Sequence, residues 1–213
     1  MAHYFIGTSG WHYDHWRGKL YPPNLPKAKW LDFYAGYFST VELNNSFYRL
    51  PSETALANWR ESSSDDFTFA VKVSRFITHI RRLRNSEEAV EKLITRARVL
   101  EGKLGPLLYQ LPPNMHRNDD VLEFFLSGLP RRLKHVFEFR HQSWLDQRVL
   151  EILEKYNAGF CVFDMPSFSC PLKLADLTAN LKTVYVYFNN DAEAFAVRNA
   201  ITLRNYLQKD IQG

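Results

Sequence analysis

The feature of this sequence that most constrains its fold is a regular alternation of short apolar runs with segments of helical period. Seven apolar runs are predicted to be strands, at residues 3–6, 40–43, 68–73, 106–110, 134–139, 159–163 and 183–188. Six segments are predicted to be helices, at residues 27–37, 52–62, 86–100, 118–129, 143–156 and 191–208. Apolar strands that alternate with helices are typical of a parallel sheet covered by helices.

Two α/β architectures contain such an alternation, a closed β/α barrel and an open doubly wound sheet. The segment after the first strand, TSGWHYDHW, lacks the G-x-G-x-x-G pattern of a dinucleotide-binding turn, which disfavours the open sheet. The regular spacing of the strands favours the barrel. We therefore predict a single domain over residues 1–213, with an α/β fold of the TIM-type β/α barrel class. It has seven recognisable strands, one unit short of eight.

Polar side chains occur at the carboxyl end of every predicted strand, the edge at which β/α barrels carry their chemistry. In chain order they are Thr8, Ser9 and Trp11; Glu42, Asn44, Asn45 and Tyr48; Lys72, Ser74, Arg75, Thr78 and His79; Gln110; Glu138, Arg140 and His141; Asp164; and Asn189, Asn190 and Asp191. Burying Glu42, Lys72 or Glu138 costs several kcal/mol unless the charge is paired. Each residue alone is compatible with a structural ion pair, whereas the whole set indicates the lining of a pocket.

The stretch FEFRHQSW, residues 137–144, is the clearest example of this pattern. Because side chains alternate along a strand, Phe137 and Phe139 are predicted to face one way, and Glu138 and Arg140 the other. The stretch is therefore predicted to be a barrel strand that ends at the pocket, followed by a helix that begins at Ser143.

These residue types suit acid/base chemistry on a small polar or anionic ligand. A glutamate beside a lysine or an arginine in a dry pocket has a shifted pKa and can act as an acid or a base, the role expected of Glu42 and Glu138. Lys72 suits either a Schiff-base nucleophile or an ion pair with one of these glutamates, and we favour the ion pair. Arg140 and Arg75 suit the binding of a carboxylate or phosphate group.

A metal site is an alternative use of the same edge. The carboxylates, together with His79, His141 and Asp164, include the ligand types of metal-dependent isomerases and phosphoesterases. No pair has a diagnostic spacing such as H-E-x-x-H, so the sequence requires neither a metal nor another cofactor. Cys161 and Cys170 lack C-x-x-C spacing and indicate neither a zinc site nor a disulfide framework.

The loop after the first strand is unusually aromatic, in a chain whose aromatic fraction is already 15%. Its aromatic side chains include Trp11, Tyr13, Trp16, Tyr21 and Trp30. Such a loop has a role in the pocket, as a lid over the barrel mouth or as a stacking surface for a flat ligand such as a sugar or base, or else it packs on itself. The sequence leaves both alternatives open.

Charge and hydropathy bear on other classes of partner. The net charge is +4 and the basic residues are mostly dispersed, with the densest group at Arg81, Arg82 and Arg84. Nucleic acid is therefore a possible partner but not a favoured one. No apolar run approaches the ~20 residues that span a bilayer, and no signal peptide is visible, so we expect a cytoplasmic protein without a membrane partner.

Six sequence blocks resemble those of the YecE-like family, catalogued as domain of unknown function 72. The blocks are IGTSGWHYDHWRGKLYP, VELNNSFYRLP, FAVKVSRFITH, LLYQLPP, FEFRHQSW and VYVYFNND. The resemblance implies a TIM-type barrel with a pocket at one rim and no firmly assigned reaction, described loosely as related to sugar isomerases. It implies as pocket residues Trp11, Glu42, Asn44, Tyr48, Lys72, Thr78, His79, Gln110, Glu138, Arg140, His141, Trp144, Asp164, Asn189 and Asn190.

One departure from the family pattern lies before the last strand. The stretch LTANLKTVYVYFNND joins the start of one expected strand directly to the last, so about one β/α unit is absent. Strand number and stagger are linked in a barrel. We therefore expect a seven-stranded barrel to close more tightly, to open, or to borrow a strand from elsewhere. If the barrel stays open, the unpaired strand edge would favour pairing between chains.

The sequence therefore predicts a barrel that binds or transforms a small polar or anionic ligand, such as a sugar or sugar phosphate, by isomerase-like chemistry. Glu42 and Glu138 are the expected acid and base, and Arg140, Lys72 and His141 are expected to stabilise an anion or enolate-like charge. The alternatives are a non-catalytic module for nucleic acid or another ligand, and a metal-dependent phosphoesterase. The oligomeric state is not indicated by the sequence.

Overall fold

The computed structural model describes residues 3–165, 168–169, 183–190 and 192–210, with an α/β fold. The parallel strands are β1 His3–Thr8, β2 Thr40–Leu43, β3 Thr68–Lys72, β4 Leu104–Leu111, β5 His135–Phe139, β6 Gly159–Phe160 and β9 Thr183–Phe188. Between β6 and β9 in the sequence, β7 Asp164–Met165 and β8 Phe168–Ser169 form a short antiparallel hairpin. The helices are α1 Trp30–Ala35, α2 Glu53–Glu61, α3 Glu87–Ala97, α4 Asp119–Ser127, α5 Gln147–Lys155 and α6 Phe195–Asp210. Asp191, the first residue of the predicted last helix, and Cys170 lie outside the described residues.

The strands form two parallel sheets rather than one continuous sheet. One has the order β2-β3-β4-β5-β6 and the other pairs β1 with β9. A single bridge between Ser9 and Glu42 joins the carboxyl ends of β1 and β2. Within the described ranges, no backbone pairing joins β6 to β9. The prediction of parallel strands in an α/β fold is therefore confirmed, whereas a closed barrel is not shown.

Side chains of β9 also contact the five-stranded sheet. The hydroxyl of Tyr187 lies 2.7 Å from the hydroxyl of Thr40 in β2, and Lys134, just before β5, donates to the hydroxyl of Tyr185 at 2.8 Å. The two sheets therefore share contacts near both β2 and β5.

Gly7 allows β1 to lie against β2. A Cβ atom at this position would lie 2.2 Å from the carbonyl oxygen of Thr40, closer than any side chain tolerates. The neighbouring Thr8 is fully buried, and its backbone N–H donates to the hydroxyl of Tyr34 of α1 at 3.0 Å. The approach of the two strands therefore depends on a residue without a side chain.

Capping residues define where several helices begin. The side chains of Ser52, Asn118 and Asp146 accept hydrogen bonds from backbone N–H groups in the first turns of α2, α4 and α5. The side chains that recur at the helical period in α3 are all buried: Val90, Leu93, Ile94, Ala97 and, just after the helix, Leu100. None of the described helices is long and apolar enough to span a membrane.

Several predicted boundaries are wrong, including two that follow β5. The fifth helix starts at Gln147 rather than at residue 143, because Gln142–Trp144 forms a separate 3-10 turn and Asp146 then caps the helix. The sixth strand ends at Phe160 rather than at residue 163. Local sequence preference alone does not distinguish a 3-10 turn from the first turn of a helix.

The aromatic loop packs on itself. Trp16 and Trp30 are fully buried, and the ring of Tyr21 stacks on Trp30 with the centroids 4.5 Å apart. The hydroxyl of Tyr21 donates to the carbonyl oxygen of Trp11, and the indole of Trp11 meets Trp59 of α2 edge to face at 5.1 Å. These contacts favour the packed-loop alternative for the four residues.

Candidate functional site

Four neighbouring strands bring polar side chains to one edge of the larger sheet. Glu42 is the next-to-last residue of β2, Lys72 the last of β3, Gln110 the next-to-last of β4, and Glu138 the next-to-last of β5. Because parallel strands point the same way, these four positions lie at the same edge. Gln110 and Glu138 are also paired in register across β4 and β5.

The alternation along β5 separates apolar from polar side chains. Phe137 and Phe139 are fully buried; Phe137 stacks on Tyr109 at 4.8 Å and Phe139 stacks on Trp144 at the same distance. Glu138, between them, instead contacts the polar edge. The alternation predicted for this strand is confirmed at these three residues.

Glu138 is buried and held by two donors. Its Oε1 accepts from the side-chain amide of Gln110 at 2.9 Å and from Nε of Arg140 at 2.6 Å. The Glu138 side chain is 6% exposed and that of Arg140 28%. Ion pairing and hydrogen bonding together offset the cost of burying this carboxylate.

Glu42 is also buried, but weaker contacts than those of Glu138 offset the cost of burying its carboxyl group. The hydroxyl of Ser9 donates to its Oε2 at 3.2 Å, and Nζ of Lys72 lies 3.9 Å from its Oε1, beyond hydrogen-bonding distance. Burial is the main cause that raises the pKa of Glu42, and the negative charge of Glu138 raises it further, against the opposing effects of Lys72, Ser9 and Arg140. The favoured reading of Lys72 as an ion-pair partner is therefore observed, with Glu42.

Lys72 also lies over an aromatic ring. Its ammonium is 5.3 Å from the ring centroid of Phe47, which belongs to the short turn Asn45–Phe47 after β2. The hydroxyl of Ser46 in the same turn lies 2.6 Å from the carbonyl oxygen of Lys72. The turn after β2 is thus fixed against the end of β3, and it holds the Lys72 side chain between a carboxylate and a ring.

Thr78 and His79 lie in a single π-helical turn, Phe76–Ile80, after β3. The hydroxyl of the buried Thr78 is 2.9 Å from Nδ1 of His79, whose ring meets Phe47 edge to face at 5.0 Å. Burial, followed by the positive charges of Arg75, Arg140 and Lys72, lowers the pKa of His79, so its imidazole is neutral at neutral pH.

His141 lies at the rim, beside Arg140. Its Nδ1 accepts from the backbone N–H of Ser143 at 3.1 Å, so the neutral imidazole carries its proton on Nε2. Its ring lies 4.0 Å from that of His116. The histidine therefore caps the 3-10 turn that follows β5, with one ring nitrogen occupied by the protein.

Other predicted pocket residues take different positions. Trp144 is fully buried and its indole N–H donates to the carbonyl oxygen of Met115 at 2.7 Å, which places it in the core beneath the rim. Tyr48 is 77% exposed, and Asn189 and Asn190 are exposed beyond β9. Trp11 belongs to the packed loop described above. The side chain of Asp164 lies outside the described residues.

Asn44, the residue after β2, has a buried side-chain oxygen. It is the N-cap of the turn Asn45–Phe47, although its side chain makes no capping bond. Its Oδ1 is buried without a hydrogen-bond partner in the part of the chain that the structure describes. Such an atom is rare in native proteins and requires an explanation.

Sequence reasoning did not assign three residues that lie beside this cluster: Phe47, Cys161 and Phe163. Cys161 follows β6 and donates its backbone N–H to the carbonyl oxygen of Phe137 at 2.7 Å. Burial, and then the charges of Glu138 and Glu42, raise the pKa of its thiol. The residues on either side of Cys161 are apolar, so its place beside the cluster could be recognised only from the pairing of β6 with β5.

The metal site that was considered as an alternative gains no support from the described residues. Among the described residues, no group of three histidine, cysteine, aspartate or glutamate side chains is close enough to hold a metal ion. Nδ1 of His79 faces Thr78, and Nδ1 of His141 accepts from the Ser143 backbone. The carboxylates of the cluster face cations rather than one another.

Comparison with known proteins identifies the family. Residues 5–182 match the family model described as "Protein of unknown function DUF72". The chain is 35% identical over 130 residues to UPF0759 protein YecE of Escherichia coli K12, which covers 57% of this chain and 48% of that protein. It is 28% identical over 153 residues to UPF0759 protein YunF of Bacillus subtilis 168, covering 66% and 51%. The chain thus spans about half the length of the curated relatives that it matches.

Known structures agree with the fold. A DUF72 family protein from Thermotoga maritima superposes with a TM-score of 0.84 at 23% identity, covering 97% of this chain and 99% of that one. A DUF72 family protein from Enterococcus faecalis gives a TM-score of 0.74 at 17% identity, covering 98% of both. At these identities the likeness concerns the fold alone. With the family match over most of its length, the chain belongs to the DUF72 family of proteins of unknown function.

Proposed function

We propose that this protein binds a small polar ligand of the sugar or sugar phosphate class at the polar edge of β2 to β5 and transforms it by proton transfer. The relatives carry no assigned reaction, so the proposal rests on the site itself. Glu42 is the proposed acid or base that exchanges a proton with the ligand, and Glu138 is its proposed partner.

The observation that carries the proposal is the difference between two buried carboxyl groups in one site. Glu138 is tied by an ion pair and an amide hydrogen bond, whereas Glu42 has one longer hydrogen bond and a raised pKa. Neighbouring carboxyl groups in unlike environments are a common basis for dividing acid and base roles. A carboxyl group that keeps its proton closer to neutral pH is suited to transfer it.

The cations of the site suit the intermediate of such a reaction. Removing a proton from a carbon next to a carbonyl group places negative charge on the oxygen, as an enediolate. The positive charges of Lys72 and Arg140, beside carboxyl groups that are largely buried, stabilise that charge electrostatically. His141, whose Nε2 carries a proton, is the proposed additional donor at the rim.

Deuterium exchange tests the proposal without requiring the substrate to be known. The protein is incubated in D₂O with a panel of aldoses, ketoses and their phosphates, and incorporation of deuterium next to the carbonyl group is followed by NMR. We expect exchange with at least one member of the panel, reduced about 100-fold or more by Glu42→Gln, since general acid–base groups contribute about that much.

The matched control is Glu88→Gln, at an exposed glutamate in the first turn of α3. It should exchange at the rate of the unsubstituted protein. Absence of exchange across the whole panel, or exchange that Glu42→Gln leaves unchanged, would refute the acid/base proposal.

A further inference from the structure

Among the residues that the structure describes, nothing accepts a hydrogen bond from Nζ of Lys72 or from Nη1 and Nη2 of Arg140, and nothing donates to the buried Oδ1 of Asn44. We propose that these three side chains bind one ligand at two points: an anionic group at Lys72 and Arg140, and a hydroxyl group at Asn44. The ligand class is therefore a hydroxylated anion. This inference rests on the proposed function for the location of the site, but not on any reaction occurring there.

Lys72 is the first element of the anion subsite. Its side chain is 13% exposed, so its ammonium is largely removed from water. Glu42 lies 3.9 Å away and Phe47 offers only a ring face, so no described residue accepts a hydrogen bond from Nζ. A desolvated ammonium with three free donors favours an anion within reach.

Arg140 is the second element. Its Nε is occupied by Glu138, but no described residue accepts a hydrogen bond from Nη1 or Nη2. The guanidinium carbon lies 5.6 Å from the ring centroid of Phe163, which restricts the plane of the group. A planar pair of free N–H groups, held in place by Glu138 and Phe163, is suited to binding two oxygens of a carboxylate or phosphate.

The charges of the site agree with an anion. The neutral imidazole of His79 has three cations near enough to lower its pKa, against the single carboxylate of Glu138. The carboxyl group of Glu42 balances the positive charge of Lys72 only when that carboxyl group is ionised. Its pKa is raised. When Glu42 is protonated, Glu138 is the one carboxyl group of the described cluster that is left to balance the two cations.

Asn44 supplies the second point of binding. Its buried Oδ1 lacks a donor among the described residues, and it follows β2 by one residue, two positions after Glu42. The turn that it caps contacts Lys72 through Ser46 and Phe47. A hydroxyl group both donates and accepts, so it satisfies the amide in either orientation of its oxygen and nitrogen.

The test compares four probes by isothermal titration calorimetry: inorganic phosphate, sorbitol, sorbitol 6-phosphate and gluconate. None has the aldehyde or ketone group of the sugars in the exchange panel, so binding is measured apart from that reaction. We expect sorbitol 6-phosphate or gluconate to bind about tenfold or more tightly than either phosphate or sorbitol. Tighter binding of sorbitol 6-phosphate indicates that the anionic group of the ligand is a phosphate, and tighter binding of gluconate indicates that it is a carboxylate.

Three variants localise the binding. Lys72→Met and Arg140→Lys should each weaken the preferred probe about tenfold or more, and Arg140→Lys keeps a charge beside Glu138, so that folding is preserved. Asn44→Ala should weaken the hydroxylated anion but not inorganic phosphate. The controls Lys92→Met and Arg132→Lys change exposed residues and should leave all affinities unchanged.

Two results would overturn the inference: a hydroxylated anion that binds no more tightly than sorbitol, or affinities that Lys72→Met and Arg140→Lys leave unaltered. Failure of the acid/base proposal looks different. Binding would then follow these expectations while no member of the sugar panel exchanged deuterium. Conversely, exchange that depends on Glu42, without tighter binding of the anions, would retain the proposed function and reject the two-point ligand.

Discussion

The ion pair between Glu138 and Arg140 allows a quantitative prediction. Arg140→Gln removes the charged donor from a carboxylate whose side chain is 6% exposed. A hydrogen bond to a charged group contributes about 1.5–3 kcal/mol, and breaking a buried pair on one side costs about 3–5 kcal/mol. Because the Arg140 side chain is 28% exposed and Gln110 remains bonded to Glu138, we expect a loss of about 2–3 kcal/mol.

Urea denaturation at pH 7 measures this loss. With a slope of about 2–3 kcal/mol per molar, the midpoint should fall by about 1 M. The double variant Glu138→Gln/Arg140→Gln removes the unpaired charge as well, and it should recover about 1–2 kcal/mol of the loss. Such recovery is a direct measure of coupling between the two side chains.

Arg132→Gln, at an exposed arginine, is the matched control and should change the free energy of unfolding by less than about 0.5 kcal/mol. The reasoning fails if Arg140→Gln costs no more than this control. It also fails if the effects of Glu138→Gln and Arg140→Gln simply add, since that result means that the two groups do not stabilise one another.

Two further predictions concern Glu42 and Gly7. Because folding raises the pKa of Glu42, the stability that its protonated form contributes at low pH is lost as the pH rises through the folded pKa. A glutamine at this position does not titrate, so the stability of Glu42→Gln relative to the unsubstituted protein should increase between pH 4 and pH 8. Thermal melts across that range test the sign, and an opposite trend contradicts it. Gly7→Ala places a methyl group against the Thr40 carbonyl and should lower the free energy of unfolding by about 1–3 kcal/mol or more, whereas Gly102→Ala, which meets no atom within 4 Å, should be nearly neutral in the same urea titration.

The sequence allowed the polar edge to be predicted because that edge follows from strand direction alone. Once Glu42, Lys72, Gln110 and Glu138 are placed near the ends of parallel strands, they must lie at one side of the sheet. The period of α3 and the alternation around Glu138 are equally local consequences of geometry. None of these predictions required knowledge of a loop.

Side-chain direction beyond the strands could not be predicted in this way. Trp144 and Tyr48 both follow strands, yet one is fully buried and the other is 77% exposed. Those positions are decided by turns, such as Gln142–Trp144, whose geometry depends on tertiary contacts with Met115 and Arg117. Closure of the barrel likewise depends on long-range pairing rather than on strand count.

Glu42 has two separate roles, one for its backbone and one for its side chain. The backbone carbonyl of Glu42 accepts from the N–H of Gly10 at 2.9 Å, where the smaller sheet meets the larger one, while its carboxyl group contacts Ser9 and Lys72. That main-chain bond does not involve the Glu42 side chain, so the carboxyl group can be replaced without removing either of the bonded atoms. A proline at position 10, in contrast, would remove the donor and could not adopt the positive φ of Gly10, so it would break the junction while the carboxyl group of Glu42 remained chemically unchanged.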